Sequence, residues 1–505
     1  MTVSSRVVLV DEAPVTVGDV IAVASGAPVE IGAAARARMV RAREVVDALT
    51  SGEQLVYGLN TGLGSGRDVR VPMEELERYQ PAIVISHAGG IGAPLPTEVV
   101  RAAMFVRLAG LALGGAGTSP AAADTYAAML NGGVHPVVPS VGSVGASDLG
   151  HMAAIASVAI GAGRAEVGGE VLSGAEALAR AGIAPLRMGP KDGLSLVSAN
   201  GVAVGHGALV VERVDRMLDA ADAVAALSLE AVRGNPSIVE PVVAAAKPVA
   251  GQAASAARIR ALLAGSRLLD PDGPASVQDP LSFRVVPQAH GAVREVARFV
   301  RDAVDGELAA MDDNPLVVAD ESRIVSNGNF HPMLLALAFD AIRPGLAHIG
   351  RLSDRRMEAL WALAMDFEDP AVMASLLASA TNRAGPMVRY AGAARAAELV
   401  GLAAPATLDL GPLDRGVEDH GTLAPQTVAR TEAALEALDD VLATELMMAA
   451  STIGAHSRAA DLGGGTRRVL DAVLTALGAV PEDGSADQLH AAVKSLLPEA
   501  MAGIR

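Results

Sequence analysis

The sequence predicts a mainly α fold, a bundle of long helices joined to a smaller N-terminal region of loops and short strands. Three observations predict it. Hydrophobic residues make up 51% of the 505 and aromatics only 2%, so the apolar mass is largely Ala, Val and Leu; Ala and Leu lose little side-chain entropy in a helix. Apolar residues recur at three- and four-residue steps over several long stretches. The chain is also too long for one simple core. The division falls near residue 200, with an N-terminal region over 1–200 and the helical bundle over 201–505.

Residues 6–10 and 54–57 read as short strands bounded by polar or glycine punctuation. Val210, Val214, Met217, Ala221 and Val224 form one stripe, and that helix stops at Gly234-Asn235-Pro236. A second stripe runs from Val293 through Phe299, Val304 and Leu308 to Met311, ahead of Asp312-Asp313-Asn314-Pro315. A third covers Met333 to about Trp361, with Pro344 as a kink. A fourth carries Val428, Leu435, Leu438, Val441, Leu442 and Leu446. Long amphipathic helices in series imply a bundle. Residues 262–281 and 405–425 are rich in Pro, Gly and Asp and read as loops.

A formal charge of −17 argues against a nucleic-acid partner, because phosphate backbones are held by clustered Lys and Arg. Zero cysteines exclude disulfides, thiol nucleophiles and Cys-based metal sites. The N-terminus lacks the apolar core of a signal peptide. The least charged stretches, 108–123 and 125–147, are interrupted by Gly, Pro and Asn, so no unbroken membrane span is expected. A cytoplasmic protein whose excess apolar surface is buried between subunits fits these features.

Five segments carry chemistry. Tyr57-Gly-Leu-Asn60-Thr61-Gly62-Leu-Gly64-Ser-Gly66 is a glycine-rich loop without the Gly-Lys-Ser/Thr of a phosphate cradle. Taken alone it is a tight turn whose glycines supply positive φ. Ser86-His87-Ala-Gly89-Gly90 places a His at the head of a second such turn. Gln278-Asp279-Pro280-Leu281-Ser282-Phe283-Arg284 offers a planar guanidinium suited to a carboxylate, or a loop-to-helix ion pair. Asn327-Gly-Asn329-Phe330-His331 and Glu418-Asp419-His420 complete the set. No HExxH pattern supports zinc, and no metal is expected.

In order along most of the chain, YGLNTGLG, SHAGGIG, VPSVGSVGASDLGHMA, QDPLSFR, NGNFH and VEDH resemble the motifs YG(I/V)NTGFG, SHAAGIG, GSVGASGDLAPL, QDxYSLR, GGNFH and QEDH of the histidine and aromatic amino acid ammonia-lyase family. The resemblance implies a helical homotetramer whose sites combine loops of three subunits. It implies a carbon–nitrogen lyase that removes an amine across Cα–Cβ of a small-molecule amino acid. By the same resemblance Tyr57 is the base for the β-proton, its pKa brought toward neutral by its surroundings. Glu418, the second catalytic residue, addresses an imidazole ring together with His87. Arg284 binds the substrate carboxylate with Gln278 nearby, and Phe330 and Asn200 line the substrate.

The family's electrophile, a methylidene-imidazolone (MIO), forms when the Gly nitrogen of Ala-Ser-Gly attacks the Ala carbonyl. Here the segment reads Ala146-Ser147-Asp148, the loop between Pro139 and His151 is shorter than the usual pattern, and Asp148 reads as an N-cap for the helix that follows. Leu281 replaces the family's Tyr, and Ser198 falls where the family has Asn, unless Asn200 takes that place through an insertion. These departures predict that 146–148 is not cyclised and that no cofactor is needed. A free amine leaves poorly and the MIO solves this by bonding its lone pair. A quaternary ammonium has no lone pair and leaves as a neutral amine, so the sequence favours an imidazole-bearing betaine, in the manner of an ergothionase-like member. A true MIO-dependent ammonia-lyase or aminomutase, and a non-catalytic relative, stay open at this point.

Overall fold

A computed structural model describes residues 6–50, 52–366, 368–370, 372, 388–408, 411–497, 501 and 503–504. The predicted helices form at Gly201–Ala231, Val286–Leu308, Met333–Ala364 and Ala424–Ala455, and Pro344 lies inside the third. Strand is limited to short ribbons. Val8–Val10 pairs parallel with Val29–Ile31, and Ile91–Pro94 antiparallel with Pro139–Val141. Arg164–Val167 lies between His135–Pro136 and Glu170–Ser173.

The strand expected over 54–57 does not form. Asn60 folds back instead: its Oδ1 accepts from the Val56 amide at 2.8 Å and its Nδ2 donates to the Gln54 carbonyl at 2.9 Å. One side chain thus takes the backbone groups that a neighbouring strand would need. The expectation about apolar spans also needs correction. The stretches Asp192–Ala231 and Met333–Ala364 are long and apolar enough to cross a membrane by composition. The most apolar window of the first is 94% buried inside the protein, as a core helix is.

Two compact units are present. The first comprises residues 1–210, 301–339 and 405–429. Its centre is the Thr97–Ala112 helix, whose Met104, Phe105 and Leu108 are fully buried. A Cβ on Gly205 would lie 2.8 Å from the Ala102 carbonyl carbon, so glycine there lets two helix backbones cross in contact. Buried Arg107 holds Asp313 at 2.7 Å and Asp312 at 3.5 Å. Such a pair is costly to break, because the partner left behind is a charge without compensation.

The second unit comprises residues 211–300, 340–404 and 430–505. Two of its interior charged groups are paired in the same way. Asp222 accepts from Ser255 Oγ at 2.6 Å, His290 Nδ1 at 2.8 Å and Arg294 at 2.8 Å. Buried Arg356 forks onto Glu445 at 2.6 and 2.8 Å.

Candidate active site

In the first unit the Tyr57 segment is a sequence of turns. Gly58 has φ +66°, and a Cβ there would strike Leu194 at 2.1 Å, so only glycine fits both the conformation and the space. Thr61 Oγ1 accepts from the Gly58 amide at 3.2 Å and closes the turn. The Tyr57 hydroxyl accepts from the Gly64 amide at 3.3 Å. The next amide, Ser65, donates to Asp414 Oδ2 at 2.7 Å. Asp414 begins the turn that carries Glu418, closed by the Leu413 amide donating to the Glu418 carbonyl at 2.6 Å.

His87 ends the Leu76–His87 helix, and its Nδ1 donates to the Ile83 carbonyl at 2.7 Å. That bond sets the neutral ring with its proton on Nδ1 and leaves Nε2 as the acceptor. Burial holds the Glu418 carboxyl above its usual range, Asp414 adds to this, and His87 opposes it. Glu418 is therefore within electrostatic reach of Tyr57 and of His87.

The tyrosine does not behave as expected. Its pKa is raised rather than brought toward neutral, first by burial and then by the negative charges of Glu418 and Asp414, against the opposing Gly64 amide and Arg67. Among the described residues the one cation acting on it, Arg67, does not outweigh that desolvation.

A second cluster surrounds residues 143–148. Gly145 and Ser147 both have positive φ, +75° and +62°. This loop is fastened from several sides. Thr422 Oγ1 donates to the Gly145 carbonyl at 2.7 Å, the Leu423 amide to Val144 at 2.9 Å, and Gln426 Nε2 to Ser143 at 2.6 Å. The Ser147 amide donates to the Phe330 carbonyl at 3.1 Å. Ser147 and Ser198 hydroxyls meet at 3.1 Å, so Ser198 is the residue whose side chain reaches Ser147. Asn200 is fully buried, and neither polar atom of its side chain has a hydrogen-bond partner.

Asp148 occupies the N-cap position of the Leu149–Ala159 helix but does not cap it, contrary to expectation. Its carboxylate accepts from Ser143 Oγ at 3.0 Å and from the Ala203 amide at 2.8 Å. It therefore serves the first turn of a different helix, Gly201–Ala231, where an anion meets the positive end of the peptide dipoles. Its own amide donates to the Ala199 carbonyl at 2.8 Å. An MIO at 146–148 needs that nitrogen free for the Ala146 carbonyl, and a side chain that does not obstruct the ring. The residues present do not fit the group: the nitrogen is engaged, and the carboxylate is buried in hydrogen bonds of its own.

A contact that the sequence did not reveal joins two of the motifs. His331 Nε2 and His420 Nδ1 are 2.9 Å apart, linking the NGNFH loop to the VEDH turn. Both motifs end in His, the one available signal, but nothing in their spacing couples positions 89 residues apart.

Gln278 and Arg284 belong to the second unit. Gln278 is exposed on a loop that hangs from Asn235, whose amide donates to Asp279 Oδ2 at 2.5 Å and whose Nδ2 donates to the Val277 carbonyl at 2.9 Å. Arg284 closes the Leu281–Arg284 helical turn. It is half-buried, and its guanidinium has no ion-pair or hydrogen-bond partner among the described residues. Leu281 is 61% exposed.

Below the 146–148 loop lies an acid group with consequences for pH. Burial pushes Glu307 up to about 7, helped by Asp312 and Asp148, and pushes Asp312 up to about 6 against the pull of Arg107. Both exceed the unfolded carboxyl values of about 4, so the folded chain binds more protons between about pH 4 and 7, and stability falls as pH rises through that window. The melting temperature is expected to drop on going from about pH 5 to about pH 8, and Glu307→Gln is expected to remove part of the drop. Calorimetry across that range checks it; an unchanged slope in the variant refutes the assignment.

The family profile for aromatic amino acid lyases matches residues 15–475. A histidine ammonia-lyase from Gloeobacter violaceus is 36% identical over 478 residues, covering 94% of this chain and 92% of that protein. Among solved structures, the ergothioneine-degrading ergothionase from Treponema denticola superposes with a TM-score of 0.89 at 27% identity, covering 98% of this chain and 100% of that one. Histidine ammonia-lyase from Trypanosoma cruzi gives 0.86 at 28% identity, covering 98% and 94%. With the profile spanning most of its length, the chain belongs to the aromatic amino acid lyase family and is a carbon–nitrogen lyase of the ammonia-lyase type.

Proposed function

We propose that this lyase acts on an imidazole-bearing amino-acid betaine and releases a tertiary amine without an MIO. The observation that carries this is the commitment of Asp148, whose amide and carboxylate are both engaged where the family cyclises an Ala-Ser-Gly. A site without an electrophile for nitrogen suits a nitrogen that is already quaternary. The ergothionase likeness supports the same reading, since that protein is described as degrading ergothioneine.

The chemistry then needs only groups that this chain carries. Tyr57, as phenolate, takes the proton from Cβ. The electrons of that C–H bond become the Cα–Cβ double bond, and those of the Cα–N bond leave with nitrogen as neutral trimethylamine. Arg284 clamps the carboxylate through its unpaired guanidinium, with Gln278 beside it. Glu418 and the Nε2 of His87 hold the imidazole edge, and Phe330 packs against it. The raised pKa of Tyr57 suits a cationic substrate, because a quaternary ammonium beside the phenol favours its ionised form. The enzyme works as a homotetramer in the cytoplasm, with no nucleic-acid or membrane partner.

The test is incubation with L-histidine, its trimethyl betaine hercynine, and the 2-thio relative ergothioneine. An acrylate chromophore and trimethylamine are expected from a betaine, with turnover of histidine lower by at least about 10²-fold, the scale of losing one well-placed catalytic group. Turnover of histidine alone, with ammonia as product, would return the chain to the MIO-dependent reading.

A further inference from the structure

The second unit contains a hollow of about 250 Å³ that neither Gln278 nor Arg284 lines. It opens beside the end of the Gly201–Ala231 helix, between the 266–273 loop and the 458–462 turn. Three arginines line it, of which Arg267 pairs with Asp270 at 3.6 Å. Arg233 donates to the carbonyls of Gly273 and Asp272, each at 2.9 Å, and Arg458 to the Ala231 carbonyl at 3.1 Å. Carbonyl oxygens satisfy hydrogens but leave the charge in place, and neither arginine has a carboxylate at ion-pair distance among the described residues. The two charges act on each other: Arg458 is held below its ordinary value first by burial and then by Arg233, against the opposing carboxylates of Asp461 and Asp369.

The hollow also holds the opposite charge. Glu230 is 5% exposed; its Oε1 accepts from the Gly463 amide at 3.0 Å, the Ser266 and Thr466 hydroxyls lie close enough to favour the carboxylate, and burial raises its pKa against them. Asp461 stands near Arg458, with only its backbone carbonyl engaged, by Ser266 Oγ at 3.3 Å. Two guanidiniums whose hydrogen bonds go to carbonyls on one side, and the carboxyls of Glu230 and Asp461 on the other, are the complement of a small zwitterion. The volume falls below the roughly 300–1,000 Å³ of sites for drug-sized ligands, which points to a molecule of amino-acid size.

We propose that this hollow is a second small-molecule site, which takes an amino-acid zwitterion with its carboxylate on Arg233 and Arg458 and its ammonium on Glu230 and Asp461. Occupancy reaches the loop that carries Gln278 and Arg284. Arg233 lines the hollow and also anchors that loop, through the carbonyls of 272 and 273 and through its own carbonyl, which accepts from the Ala275 amide at 2.7 Å. A ligand that fixes Arg233 therefore braces the segment 272–279. The consequence for catalysis rests on the roles given above to Gln278 and Arg284; the binding does not.

The experiment is hydrogen–deuterium exchange over residues 266–281, with L-alanine, propionate and inorganic phosphate as probes. It uses the full chain carrying Arg284→Gln, so that binding to the catalytic guanidinium does not contribute. L-Alanine at about ten times its Kd is expected to slow exchange of this loop about tenfold, with propionate and phosphate weaker. Adding Arg458→Gln is expected to abolish the protection. Glu230→Gln together with Asp461→Asn in the Arg284→Gln background is expected to make L-alanine and propionate equal, and this arm decides if the Arg458 variant does not fold. Protection that survives the loss of Arg458, no protection at all, or protection by phosphate equal to that by L-alanine overturns the proposal. Turnover does not enter the readout, so failure here and failure of the betaine reading are distinguishable.

Discussion

Tyr57→Phe is expected to lower kcat by about 10²- to 10⁴-fold, the range for removing a positioned general base, while leaving the fold and KM nearly unchanged. Among the described residues the Tyr57 hydroxyl makes a single hydrogen bond, from the Gly64 amide at 3.3 Å. Its loss costs no more than about 1 kcal/mol, so circular dichroism and melting should match the parent. The pH profiles sharpen the test. In the free chain burial, Glu418 and Asp414 hold the phenol proton more tightly than usual, so kcat/KM should climb with pH on the alkaline side as the phenolate fraction grows. In the complex the substrate's cationic head favours phenolate, so the rising limb of kcat should lie at lower pH than that of kcat/KM. Activity of the Phe variant within tenfold of the parent, or coincident limbs, would remove Tyr57 from the role of base.

Local periodicity made the long helices legible, because every third or fourth residue of each stripe faces the same interior. The breaker at Asp312-Asp313-Asn314-Pro315 was legible as a stop, though not its second role, since Asp313 pairs with Arg107 across 206 positions. Contacts at that separation leave no trace in spacing. The strand expected at 54–57 failed for a local reason: β-favouring residues lose to one Asn that folds back onto their backbone groups. The motif residues Tyr57, His87 and Glu418 were legible through resemblance alone, and the electrostatic link of Glu418 to the other two was not. Burial depends on what the rest of the chain lays over a side chain, so the direction of the Tyr57 shift was inaccessible from the sequence.

Asp148 is a position where substitution should cost stability as well as test the chemistry. Asp148→Ala leaves the Ala203 amide without its acceptor in the interior, while the Ser143 hydroxyl keeps the Ser147 carbonyl at 3.0 Å. At about 1–3 kcal/mol for a buried group left without its partner, the loss is about 1–3 kcal/mol, readable as a lowered denaturation midpoint. Asp148→Asn is expected to cost far less. Its Oδ1 can still accept from Ala203, its Nδ2 can donate to the Ser143 oxygen, and the hydroxyl proton retains the Ser147 carbonyl at 3.0 Å. The Asn variant also removes a buried titration. Burial raises the Asp148 pKa against the pull of His151, Ala203 and Ser143, so its contribution to stability is complete below the unfolded value and fades as pH rises through the folded one. The Asn variant should therefore show a flatter decline with pH than the parent. Asp148→Gly restores Ala-Ser-Gly in letters only, because the nitrogen at 148 still donates to Ala199 and the loop stays short. It should share the instability of the Ala variant and keep an intact mass with no loss of two waters and no near-ultraviolet band. A Gly variant that cyclises would mean that the side chain at 148 alone blocks the electrophile, and that the loop around it never ceased to fit one.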